Sequence, residues 1–159
     1  MNHWLWIHLS LIFSGILALI LAVTGAALYL IQSRELKSKH PGGVSTRLPS
    51  LDKLDRFHFK SLSLGVILFT LGILSGFFWA TDLRRIGDIF KDSKVILSLL
   101  TCLMYWAVLT IRAGQLRRGQ KIAIGTLLIF ALLIATWMSS LYAPSAFHKA
   151  LRLGPGQGF

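Results

Sequence analysis

Charge is scarce in this sequence: Asp, Glu, Lys and Arg together make up 14% of its 159 residues, against 54% hydrophobic residues. So little charge cannot keep that much apolar surface in water, which excludes an ordinary soluble domain. Acidic residues are scarcer still, 6 against 17 Lys and Arg, giving a formal net charge of +11. In a soluble protein that balance would suggest nucleic acid. Here the basic residues lie between apolar runs, where membrane orientation and anionic lipid account for them. Cys102 is the one cysteine and sits inside an apolar run, so the chain can form no internal disulfide and its redox compartment is unmarked. Gly-rich phosphate loops, HExxH and CxxC patterns are all missing, as is any convincing Ser/His/Asp order. Hydrolase and kinase chemistry therefore lack a site.

What is present is a set of long apolar runs with basic segments between them. The most informative stretch is 48–80, where a charged collar leads into a span free of charge. Pro49 cannot sit inside a helix, Ser50 can cap one, and Asp52 and Asp55 fall in the first turns, where the helix dipole favours anions. From Ser61 to Ala80 no residue is charged, and those residues rise about 30 Å, the thickness of a bilayer's hydrocarbon core. The Gly and Ser residues of this run, among them Gly65, Gly72, Ser75 and Gly76, are spaced to let a neighbouring helix backbone approach. Phe77, Phe78 and Trp79 close it as an aromatic belt.

Four helices are predicted, at about 4–31, 57–80, 95–111 and 122–143. The first would rise about 42 Å, so it should tilt or emerge from the bilayer at one end. It lacks the basic start and short apolar core of a secretory signal, so a retained helix is expected. Pro41-Gly42-Gly43 breaks the linker 33–56, and Pro144 stops the last span. In 81–94, Leu83, Ile86, Ile89 and Phe90 recur at helical spacing, as in a short amphipathic segment on the membrane surface. Its three aspartates are read as solvated partners of the neighbouring Arg and Lys. Residues 33–60 carry seven basic side chains and 112–121 carry four, whereas 81–94 carry four and the tail 144–159 carries two. By the positive-inside rule, both termini and the loop 81–94 face outward. The fold class is thus all-α: a polytopic membrane protein with four transmembrane helices in a single domain over 1–159.

That topology puts His8 and His148 at the same outer face. A neutral imidazole is a good haem-iron ligand, and two histidines at one depth on different segments can make a bis-histidine site. Interfacial histidines are also common, and the residues alone leave both readings open. His58 falls at the inner start of the second helix, His3 at the N-terminus, and His40 in the Pro/Gly linker, where it is solvated.

A resemblance adds to this reading. The run WLWIHLSLIFSG at 4–15, then a basic linker, LPSLDKLDR at 48–56 and LFTLGILSGFFWA at 68–80 resemble the cytochrome c assembly protein family, of CcsA/HemX-like type. Almost the whole chain resembles the last four helices of that family. The resemblance implies a multi-pass protein of the cytoplasmic (inner) membrane that handles haem at its outer face during cytochrome c biogenesis. It implies haem b as cofactor, His8 and His148 as axial ligands of the haem iron, and Trp79, Phe90, Arg84 and Arg85 as haem contacts. Implied partners are haem, membrane lipids, and other assembly subunits or an apocytochrome, with no turnover chemistry by the chain itself. Longer members have further helices upstream, for which a separate chain is expected here.

The sequence departs from the family in its tryptophan-rich haem segment. Trp79 and Asp92-Ser93-Lys94 remain of a W-x-W-D-P-K-E pattern, without the paired tryptophans or the closing glutamate. Ile111 stands where some members have a histidine before an arginine. These departures leave two alternatives open. One is a haem-free scaffold subunit packing through the Gly/Ser faces of the first two helices. The other is a cytochrome b-type electron carrier, against which the lack of four inward-facing mid-membrane histidines counts.

Overall fold

A computed structural model describes residues 3–37, 49–82, 93–114 and 119–142. They form four helices: α1 (His3–Lys37), α2 (Leu51–Asp82), α3 (Ser93–Gly114) and α4 (Gln120–Tyr142). Each is long and apolar enough to cross a membrane, and the described residues contain no strand. The segments 38–48, 83–92 and 143–159 lie outside the described residues, and with them most of the predicted amphipathic segment.

Two helices run further into the basic segments than the hydropathy pattern predicts. α1, at 35 residues, is about 52 Å long and continues through Gln32, Ser33 and Arg34 to Lys37. α2 starts at Leu51 rather than 57, with the Leu54 N–H donating to the Ser50 carbonyl at 3.1 Å. Ser50 thus holds the position at which a helix is capped.

α1 and α2 pack antiparallel along most of their length, and the contact is close because glycine lines it. The position a Cβ would take on Gly15 lies 2.8 Å from the Phe69 backbone nitrogen, and on Gly65 it lies 2.8 Å from Leu19 side-chain carbons. Lipid gives helices no hydrophobic reason to associate, so such backbone approach and its dispersion contacts hold the pair. The glycines of this helix pair, Gly15, Gly25, Gly65 and Gly72 among them, are thus in contact within the chain.

α4 packs against α1, and α3 against α4 and α2, so neighbouring helices close a ring. The core joins Leu19 and Ala22 of α1, Leu62, Val66 and Phe69 of α2, Cys102, Tyr105 and Leu109 of α3, and Ile129 and Leu133 of α4. A smaller cluster seats Ala26 and Leu30 of α1 on Ala123 of α4. Between α2 and α3 the Trp106 indole N–H donates to the Thr70 hydroxyl at 2.9 Å. Most of the remaining apolar surface of α3 and α4 faces outward, as lipid contact requires.

At the basic end, polar side chains cross between all four helices. Arg112 of α3 pairs with Asp55 of α2, both nearly buried, and its guanidinium stands 5.4 Å over the Phe59 ring. Gln120 of α4 donates to the Ser33 hydroxyl at 2.8 Å and accepts from Lys37 at 3.1 Å. These cross-links explain why helix continues beyond the apolar runs: the polar side chains there find protein partners as well as water.

This packing makes two pairs of substitutions informative for stability. Gly15→Ala drives a methyl into the α2 backbone and lowers the unfolding free energy by about 1–3 kcal/mol. Gly114→Ala, with nothing within 4 Å, changes it by less than about 0.5 kcal/mol. Asp55→Asn leaves the Arg112 charge buried without its counter-ion and costs about 3 kcal/mol. Asp52→Asn weakens the exposed pair with Arg56 and costs less than about 1 kcal/mol. Denaturant or thermal unfolding in detergent micelles, monitored by circular dichroism, measures all four.

Candidate functional site

Among the described histidines, His8 is the one seated against the glycine- and serine-bearing face of α2. It lies one turn and a half into α1, and the antiparallel register brings it against Gly72, Ser75 and Gly76 of α2. Its Nδ1 is 2.7 Å from the Gly72 carbonyl oxygen. Two acceptors at that distance would repel, so the proton sits on Nδ1 and is donated to the carbonyl. Nε2 then carries the lone pair, and no hydrogen bond to it is made among the described residues. That is the arrangement of a metal-ligating imidazole whose other nitrogen is anchored to backbone.

An aromatic ledge adjoins it. One turn before His8, Trp4 stacks on Phe78 of α2, with ring centroids 5.7 Å apart and an interplanar angle of 23°. Both residues are exposed, at 44% and 59%, and lie about a helical turn from the imidazole at this end of the helix pair. A planar macrocycle needs such faces for its apolar body.

His58 has the opposite arrangement. The Thr126 hydroxyl donates to the Ile122 carbonyl at 3.1 Å, so toward His58 Nε2, 3.1 Å away, it presents a lone pair. His58 therefore carries its proton on Nε2 and spends it on tying α2 to α4. It is 3% exposed and acts as a packing residue. His3, the first residue of α1, is exposed.

The other residues singled out from the sequence are outside this geometry. Trp79 lies in α2 with its side chain outside those described, and Arg84, Arg85, Phe90 and His148 fall outside the described residues altogether. Sequence reasoning missed five participants, Trp4, Phe78, Gly72, Ser75 and Gly76, as groups near or against His8. Trp4 lies four residues before His8, on the same helix face, which was a usable signal. The α2 partners needed the register of the helix pair.

Known proteins resemble the chain over nearly all of its length. A family model described as "Cytochrome C assembly protein" matches residues 1–148. Protein HemX of Brevibacillus brevis is 31% identical over 142 residues, 89% of this chain and 51% of that protein. The cytochrome c biogenesis protein CcsA of Guillardia theta is 26% identical over 136 residues, 76% of this chain and 44% of that protein. CcsA of Pyropia yezoensis is 33% identical over 81 residues, 50% of this chain and 25% of that protein. The chain thus spans about half the length, or less, of these curated relatives. No solved structure matches it.

Proposed function

The chain belongs to the cytochrome c assembly protein family, and from that premise we propose that it binds and presents haem at the outer face of the cytoplasmic membrane during cytochrome c biogenesis. Family membership supports the role in biogenesis, and four membrane-spanning helices support a multi-pass membrane protein. The observation that carries the haem reading is the anchored imidazole of His8, with Nδ1–H given to the Gly72 carbonyl and the Nε2 lone pair left over.

Haem b would supply an iron that neutral imidazoles can ligate and propionates that basic side chains can meet. In this reading His8 and His148 would hold the iron. Trp4 and Phe78, together with Trp79 and Phe90, give aromatic faces to the macrocycle. Arg84 and Arg85 meet the propionates as charge-assisted donors. The chain's own work is to bind, orient and shield; the partner that receives haem is an apocytochrome or another assembly subunit meeting the loop after Trp79. The basic residues of 33–60 and 112–121 keep the opposite ends of the helices at the cytoplasmic surface.

Two measurements test this. Protein purified in detergent shows bis-histidine haem absorption; His8→Ala loses it and His58→Ala, the buried packing histidine, keeps it wherever the protein still folds. Full haem content in folded His8→Ala overturns the ligand assignment. In a Cys102→Ala background, His3→Cys reacts with a membrane-impermeant maleimide added from outside, while Gly114→Cys reacts only after permeabilisation. The reverse pattern would place His8 at the inner face.

A further inference from the structure

We infer that Ser75 and Gly76 of α2 are positioning residues for His8: together with the Gly72 carbonyl they fix the imidazole's tautomer and ring position, so that Nε2 is the atom offered to the iron. This rests on the haem reading for the word iron, and on geometry alone for the tautomer.

Ser75 acts through its hydroxyl. The oxygen lies 2.7 Å from the Gly72 carbonyl oxygen and 3.5 Å from His8 Nδ1. Its hydrogen is committed to the carbonyl, so a lone pair faces Nδ1. The Nδ1–H therefore meets two acceptors, a short one from Gly72 and a longer one from Ser75. The other tautomer would set a bare Nδ1 against both, with a free donor from neither. Ser75 is 6% exposed, so water cannot readily take its place.

Gly76 acts by having no side chain. A Cβ there would lie 3.0 Å from both His8 Cε1 and Nδ1 and 3.8 Å from Nε2. The ring rests its Nδ1–Cε1 edge on bare backbone and turns Nε2 to the farther side. Elsewhere in the helix pair the glycine series serves packing: the Cβ positions of Gly65 and Gly72 meet Leu19 and Ile12. At Gly76 the neighbour is an imidazole, and close approach there decides where a ligand atom points. An alanine would favour the helix itself, so the expected loss at this position is one of ring position rather than of folding.

The test uses the full chain in detergent with ¹⁵N-labelled histidine, His8→Ala identifying the His8 signals. In the haem-free protein, His8 shows a protonated Nδ1 and a lone-pair Nε2. Gly76→Ala and Ser75→Ala shift these signals toward a mixture of tautomers. Each weakens haem binding, Gly76→Ala by about ten- to hundredfold, as loss of a group holding a metal ligand does, while Gly114→Ala changes neither readout. A protonated Nε2 in the unaltered protein, or unchanged His8 signals and haem affinity in both α2 variants, overturns the inference. Full haem affinity in His8→Ala overturns the ligand reading instead, and the nitrogen signals then still decide whether Ser75 and Gly76 hold the ring.

Discussion

The close approach of α1 and α2 governs both the register of this fold and the setting of the His8 imidazole. In water a helix pair is driven together by expelling solvent from apolar faces, but lipid tails are as apolar as leucine and that drive is absent. The pair must associate through dispersion contacts and the few hydrogen bonds that reach across, and both grow with close approach. Gly15 on one helix and Gly65 on the other remove the side chains that would hold the backbones apart. The register so fixed places residues 8, 12, 15 and 19 of α1 opposite 76, 72, 69 and 65 of α2. A carbonyl in the middle of a transmembrane helix comes within reach of an imidazole on its neighbour only because that contact is so tight.

His8 and His58 show how one residue type is turned to opposite ends by what surrounds it. His58 faces a threonine whose own proton is already given to the helix, and it answers as a donor from Nε2. His8 faces a carbonyl and answers from Nδ1. The first closes its Nε2 into a helix-to-helix link. The second keeps Nε2 out of protein hydrogen bonding among the described residues. Both are histidines near the end of an apolar run, and although the charge pattern assigns them to opposite ends of the helices, nothing in the sequence tells which nitrogen each one uses. The distinction is made by the hydrogen-bond inventory of the neighbour, a carbonyl that can only accept or a hydroxyl already spent.

Much of the architecture was legible in the sequence for a simple reason: a span of about 20 apolar residues has few alternatives to a membrane helix. The ends were less legible. Gln32 to Lys37 reads as linker because its polarity suggests water, and the hydropathy pattern also leaves out Leu51 to Arg56 despite the Ser50 cap, yet both stretches are helical. Ser33, Lys37 and Asp55 meet Gln120 and Arg112 on other helices, contacts far apart in sequence and invisible to a hydropathy window. His8 was visible as a candidate from its depth, whereas its anchoring was hidden, since Gly72, Ser75 and Gly76 read as packing residues until the helix register gave one of them an imidazole for a neighbour.

The polar contacts also divide the bundle into ends of different character. At the basic end Asp55–Arg112, His58–Thr126 and Ser33–Gln120–Lys37 bind α2 to α3, α2 to α4, and α1 to α4. Around His8, the hydrogen bonds and the Trp4–Phe78 stack run between α1 and α2 or within α2. The setting of His8 itself is built on α1 and α2 alone among the described residues, while the other two helices are fastened at the far end. That is a sensible division for a protein whose proposed work is to hold a large flat molecule and pass it on. On the proposed reading, what surrounds His8 changes as haem arrives and leaves, while its tautomer and aim, held by α2, stay with the helix pair.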